Sequence, residues 1–342
     1  MPGNGPKHIH QSTDALSAKG ASRQWVSTVG GEVYAGAVAG SGRVFVAGSD
    51  QRLSALNARN GRMLWHFKAN GPISAAPALA DGLVIVATKE GEVTALAASD
   101  GKRSWKARIG GGVVASPVVR DGRIYLGSKD KFLYALNLLT GKEIWRYQTK
   151  DYKYGGIFAS PAADADLVYV GAKNGVLHAV RGKNGKPVWQ TELGSSLYGA
   201  PVLAGDRVYQ GSYDRYVYAL RTGNGKILWR SELDDWPQGE PVPVGDMLYV
   251  CSRSGVLYGL SADNGKIVWQ IALGGEVRHS PSIGSNHIGV VATMDGRLIG
   301  VDIKRGRIVW EQKLGGAAFG SPAINDGGAL VATQEGEVSA WR

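Results

Sequence analysis

The sequence predicts an all-β fold: a single eight-bladed β-propeller of four-stranded antiparallel blades, closed into a ring by its N-terminal strand. Three observations predict it. Trp25, Trp65, Trp105, Trp145, Trp189, Trp229, Trp269 and Trp310 recur at intervals of 40, 40, 40, 44, 40, 40 and 41 residues. Glycine stands four positions before each of the last seven, from Gly61 to Gly306. Turn pairs such as Asp121-Gly122 separate short apolar runs, and such pairs favour tight hairpins because they tolerate positive φ. A unit of about forty residues with four such runs describes a propeller blade. The dense turns and period-two alternation exclude a helical solenoid of similar period.

In chain order, residues 1–22 are polar and are expected to form a flexible N-terminal segment, with the propeller over 23–342. A strand is expected over 23–28, around Trp25. It lacks the preceding glycine, Ala21 standing there instead, as suits a strand with no hairpin partner ahead of it. The unit ending at Trp145 stands for the rest, with strands expected over 113–119, 123–127, 131–137 and 143–147. Proline follows the Trp by twelve positions in six units, whereas Pro161 follows Trp145 by sixteen, which marks a four-residue insertion. The last unit offers three strands, over 317–324, 329–333 and 337–342. The strand around Trp25 therefore completes the eighth blade and removes an open sheet edge. The repeated Trp, its glycine and the Ala-Leu pairs (Ala55-Leu56, Ala95-Leu96, Ala135-Leu136, Ala219-Leu220) read as blade-to-blade packing, because a large aromatic buries much area.

Composition narrows the function. Hydrophobic residues make up 44%, there are 50 Gly and 13 Pro, and the net charge is +10. Positive charge permits an anionic partner. The Lys and Arg residues are dispersed, however, so nucleic acid is not expected. Cys251 is the single cysteine, so no intramolecular disulfide forms. No segment reads as a membrane span or a signal peptide. The expected location is cytoplasmic by default, and periplasmic or otherwise extracytoplasmic if a leader has been removed. A monomer is expected. The histidines His8, His10, His66, His178 and His287 are scattered, and no metal site is assigned.

The unit L-x-A-L-[ND]-x-x-x-G-x-x-x-W, followed by a glycine-rich link and a small-small-Pro step, resembles the pyrroloquinoline-quinone-like propeller repeat. Leu133 to Asn137, then Gly141 and Trp145, is a close instance. The resemblance runs from about Arg23 to Arg342. It is shared by quinoprotein alcohol dehydrogenases, by the outer-membrane assembly lipoprotein BamB and by sensor domains of bacterial kinases. The dehydrogenase branch implies a quinone held with calcium over the ring mouth, adjacent cysteines and long inserted loops. Here Cys251 stands alone and the links are short. No cofactor is therefore expected, with pyrroloquinoline quinone as the alternative.

Four places break the repeat. The inserted link carries Lys150, Asp151, Tyr152, Lys153 and Tyr154. The link two blades on holds Asp234, Asp235 and Trp236, and then Glu240 at a position filled elsewhere by Gly, Ala or Ser. A carboxylate there needs a partner or a purpose. Arg278 and His279 follow in the next blade's link, where either could pair with Glu240; such a pair suits general acid/base work or an ordinary ion pair. The loop between second and third strands usually holds Gly, but Gln51, Lys131 and Arg215 replace it. Strand alternation places links and these loops on one face. Lys129, Lys131, Tyr152, Lys153, Tyr154, Tyr213, Arg215, Trp236 and Arg253 are therefore expected to share that face, with Glu240 and Arg278 near its inner rim.

The leading expectation is a non-catalytic binding or scaffolding propeller that recognises a protein or small ligand there, since Tyr, Trp and Arg dominate binding energy. One alternative is an enzyme, quinone-dependent or other, working at the channel mouth through Glu240, Arg278 and His279. Another is the sensor domain of a larger polypeptide.

Overall fold

Each forty-residue unit folds into one four-stranded antiparallel sheet, and eight such sheets form the ring. The computed structural model describes residues 12–149 and 155–342. Blade 3 shows the pattern: Val118–Arg120, Arg123–Gly127, Phe132–Asn137 and Glu143–Gln148, paired in that order. The innermost strand is shorter than the 113–119 expected. Val113 donates its N–H to the Thr88 carbonyl at 3.0 Å, and Ser116 donates to Ser160 Oγ at 2.9 Å. Those amides serve neighbouring blades, and Pro117 has none to offer.

The ring closes through the N-terminal strand, as the strand count predicts. Arg23–Thr28 pairs antiparallel with Glu337–Trp341, setting Trp25 opposite Ala340. Ahead of it, Leu16 is buried beside Ile288, Ile324 and Trp341. The Asn286 side chain accepts from the Leu16 N–H and donates to its carbonyl, at 3.1 and 2.6 Å.

The core lies between blades. In one joint Ile85, Val93 and Trp105 of blade 2 pack with Leu126, Tyr134 and Leu136 of blade 3. The repeated Trp also carries a polar tie. Trp105 Nε1 donates to the Leu138 carbonyl at 2.8 Å, 33 residues on and in the next blade. Trp25, Trp65, Trp189 and Trp229 repeat that separation, and Trp145 spans 37 because of the insertion. Trp310 instead donates to the Ser17 carbonyl at 2.9 Å, so the N-terminal segment supplies the acceptor at the last joint.

One joint carries a titratable group. His178, 1% exposed, lies with Nδ1 3.2 Å from the Tyr147 hydroxyl, which accepts from Gln190 at 3.0 Å. Burial pushes its pKa down to about 4 from 6.5. The folded state therefore resists the proton that the unfolded chain accepts. Stability is independent of this group above about pH 6.5 and falls as pH drops from there to about 4, by about 3 kcal/mol at most. Urea midpoints of wild type and His178→Gln, measured from pH 7.5 to 4, are expected to converge as pH falls.

Links and second-to-third-strand loops share one face. The first loop residue donates its N–H to a link carbonyl in blade after blade: Lys129 to Gly112, Lys173 to Gly156, Tyr213 to Ser196, Arg253 to Trp236, at 2.9 to 3.1 Å. Hairpin turns such as Asp121-Gly122 and Thr140-Gly141 lie at the other ends of the strands, on the opposite face. Among the described residues no helix is long and apolar enough to cross a membrane.

Candidate functional site at the channel mouth

The inner ends of the links enclose a cavity of about 310 Å³ on that face. Its lower ring is the register of small residues eleven positions after the repeated Trp. Serine hydroxyls tie this ring together: Ser116 Oγ accepts from the Ala76 N–H, Ser160 Oγ from Ser116, and Ser280 Oγ from Glu240, at 3.1, 2.9 and 2.6 Å. Glu240 is half-buried here and lines the cavity. A bulge places it: the innermost strand Pro237–Val244 slips register between Gln238 and Val242, and Gly239 adopts φ 69°.

Above that ring stands the residue nine positions after the Trp, thirteen in the inserted link. It is aromatic in four blades: Tyr34, Phe158, Tyr198 and Phe319. Phe158 meets Tyr198 edge-on at 5.7 Å, Tyr198 tilts against Tyr213 at 4.7 Å, and Tyr213 stacks on Trp236 at 4.8 Å and 12°. The Arg253 guanidinium lies 5.3 Å from the centre of Trp236, while Lys129 and Lys173 lie 5.9 and 5.7 Å from that of Phe158. Four aromatics from three successive blades thus form one column with cations at both ends, the geometry in which a ring quadrupole attracts charge.

Across the mouth, Phe319 meets Tyr34 edge-on at 5.6 Å, with Arg278 over Phe319 and Lys89 over Tyr34. Arg253 and Arg278 share the Glu276 carboxylate at 3.1 and 2.8 Å. The Tyr34 hydroxyl donates to Glu32. That bond and a second from Gln334 hold the Glu32 carboxyl below its ordinary range, and the same contact raises Tyr34.

The structure brings Lys129, Tyr213, Trp236, Glu240, Arg253 and Arg278 to this mouth. His279 is buried at its rim, Nδ1 3.2 Å from the Ser280 carbonyl. Arg278 turns to Glu276. Lys131 and Arg215 hold left-handed loop positions, both at φ 76°, outside the cavity lining. Arg215 pairs with Glu232 of its own outer strand at 2.7 Å. Tyr152, Lys153 and Tyr154 lie outside the described residues. Sequence reasoning missed Tyr34, Phe158, Tyr198 and Phe319; aligning every link on its Trp would have shown the aromatic register. It also missed Lys89 and Lys173, the first residues of their loops.

Among the described residues no three His, Cys, Asp or Glu side chains cluster. Glu240 is the one carboxylate among the side chains lining the cavity, and calcium takes six to eight oxygen ligands. This donor set does not fit a calcium-held quinone. Cys251 is buried within a joint and its thiol pKa is pushed up by that burial, which disfavours a nucleophilic role.

A family model described as outer membrane protein assembly factor BamB matches residues 10–153, 49–214, 149–238 and 213–342. No curated protein matches the sequence significantly. Among solved structures, BamB from Moraxella catarrhalis is 18% identical, with a TM-score of 0.80 over 94% of this chain and 99% of its own. The quinohemoprotein alcohol dehydrogenase ADHIIG from Pseudomonas putida HK5 is 15% identical, with a TM-score of 0.84 over 98% of this chain and 79% of its own. The computationally designed Ika8 protein is 15% identical, with a TM-score of 0.81 over 93% and 99%. An assembly factor, an enzyme and a design share the ring, so these likenesses speak to fold alone.

Proposed function

This chain belongs to the family described as outer membrane protein assembly factor BamB, and from that premise we propose that it is a non-catalytic binding propeller whose partner is a polypeptide segment seated at the channel mouth. The observation that carries this reading is the column Phe158, Tyr198, Tyr213 and Trp236 with cations at each end. Its rings are already packed against one another, so little side-chain freedom is lost when a partner lands on them. Aromatic and Arg side chains at a half-buried centre are the residues that dominate interface energy. Among the described residues the mouth offers no fitting donor set for calcium, which argues against the quinone-dependent alternative, and Glu240, Arg278 and His279 take supporting places around it.

The test is selection of random displayed peptides on the full chain, followed by titration of the winners. Trp236→Ala and Tyr198→Ala are expected to keep the ring folded and to weaken binding by about 2 kcal/mol each. Arg62→Ala and Lys102→Ala, on the opposite face, are expected to change it by under about 0.5 kcal/mol. Winners that lose affinity to the Arg62 and Lys102 changes, and not to the other two, place the site elsewhere.

A further inference from the structure

The register that builds the wall around the mouth is not uniform. Phe158, Tyr198, Gln238, Arg278, Phe319 and Tyr34 raise it over six links in succession, and Val114 and Ser74 occupy the remaining two. The wall therefore has a gap on blades 2 and 3. Its two ends are the aromatics capped by lysine: Tyr34 under Lys89 on one side, Phe158 under Lys129 and Lys173 on the other. Between them runs the link through Gly112. The Lys129 N–H donates to the Gly112 carbonyl at 3.0 Å, and a Cβ at Gly112 would collide with the Lys89 backbone carbonyl. Ser74 lines the same cavity, its Oγ buried without a hydrogen-bond partner among the described residues.

Charge is unequal around the wall. On blades 6 and 7 the arginines Arg253 and Arg278 are compensated by Glu276. At the gap Lys89, Lys129 and Lys173 have no carboxylate within ion-pair distance among the described residues. Two acids stand beside them: Asp130, which accepts from the Tyr134 hydroxyl at 2.6 Å, and the exposed Glu90, whose carboxylate fills the space a Cβ at Gly71 would take. Glu240, the carboxylate within the cavity, belongs to blade 6, opposite blade 2 in a ring of eight. Among the described residues three lysines thus stand against two carboxylates, Asp130 and Glu90, where the wall is lowest.

We infer that the polypeptide partner enters the mouth through this gap as an extended, acidic segment, its carboxylates held by Lys89, Lys129 and Lys173. The inference rests on the mouth being the binding site and adds the chemistry and direction of what enters it. A polypeptide is preferred to a small anion because the three lysines are spread over blades 2, 3 and 4, and a lone dicarboxylate meets one side of the gap at a time.

The probe is a fluorescent heptapeptide alternating glutamate and glycine, followed by anisotropy at low salt, beside versions with glutamine or lysine for glutamate. Citrate is titrated separately. Lys89→Glu with Lys129→Glu is compared with Arg62→Glu with Lys102→Glu, which changes net charge equally on the opposite face. The glutamate peptide is expected to bind at least about tenfold tighter than the glutamine peptide, and the gap pair to lose at least about tenfold where the opposite pair loses little. Equal losses from the two pairs, no preference for glutamate, or citrate binding as tightly as the peptide each overturn the inference. Tyr198→Ala separates the two readings: if it weakens every peptide alike while the charge preference is missing, the mouth stands as the site and its acid selectivity falls. If it changes none, both fall.

Discussion

Removing residues 1–30 is expected to abolish cooperative folding or leave a chain that aggregates, while removing residues 1–11 leaves the melting temperature within a few degrees of wild type. The longer deletion takes away Arg23–Thr28, the outer strand of the eighth blade. It exposes the edge of Glu337–Trp341, a row of unpaired amides and carbonyls that invites another chain. It also removes Trp25, whose indole N–H is held by the Ala58 carbonyl at 3.0 Å and whose ring packs with Val44, Leu56 and Val338. Loss of a buried Trp alone costs about 3–5 kcal/mol, against a total domain stability of about 5–15 kcal/mol. A truncation at residue 22 should fall between. It deletes buried Leu16 and the Ser17 carbonyl that Trp310 uses. Thermal unfolding with light scattering distinguishes the three, and equal behaviour of the shortest and longest truncations contradicts closure by this strand.

Trp105→Ala is expected to destabilise the ring by about 3–5 kcal/mol, seen as a lower urea midpoint. The side chain is 9% exposed, packs between blades 2 and 3, and its N–H is held by Leu138. Its ring also lies against Gly141, where an added Cβ would collide with it. Gly141→Ala tests that contact from the other side, and Gly122→Ala is its control. Both glycines have φ of 69°, and a left-handed alanine costs about 1–2 kcal/mol in either. Nothing stands near a Cβ at Gly122, so the expected excess at Gly141, about 1–3 kcal/mol, measures blade packing. Equal effects at the two positions would show that the glycine serves the turn alone.

These two sets of residues also show what was legible in the sequence. The Trp period and its glycine specify blade number, strand order and closure, because a ring repeats the same joint and each joint needs the same wedge. The inner strands were overestimated because the link residues look apolar and extended. Their amides are spent on neighbouring blades, a long-range fact that no local pattern carries. At the mouth, Trp236, Tyr213 and Glu240 stood out within departures from the repeat, Arg253 followed from the face that links and loops share, and the structure gathers all four. Phe158 and Tyr198 did not, because an aromatic in an apolar link reads as core until all eight links are aligned. Lys131 and Arg215 stood out for replacing glycine, yet the loop backbone aims that position toward the outer strand, as the Arg215–Glu232 pair shows. Register around the ring decides membership of the site more than residue type does.

Hydrogen exchange of the full chain with and without a selected peptide tests the central claim most directly. A partner seated at the mouth should slow exchange in the links around Tyr198, Trp236 and Gly112 and in the loops at Lys129 and Tyr213. The hairpin turns at Gly122 and Gly141 should exchange unchanged. Protection confined to those opposite-face turns, or to outer strands such as Glu143–Gln148, would contradict a binding site at the channel mouth.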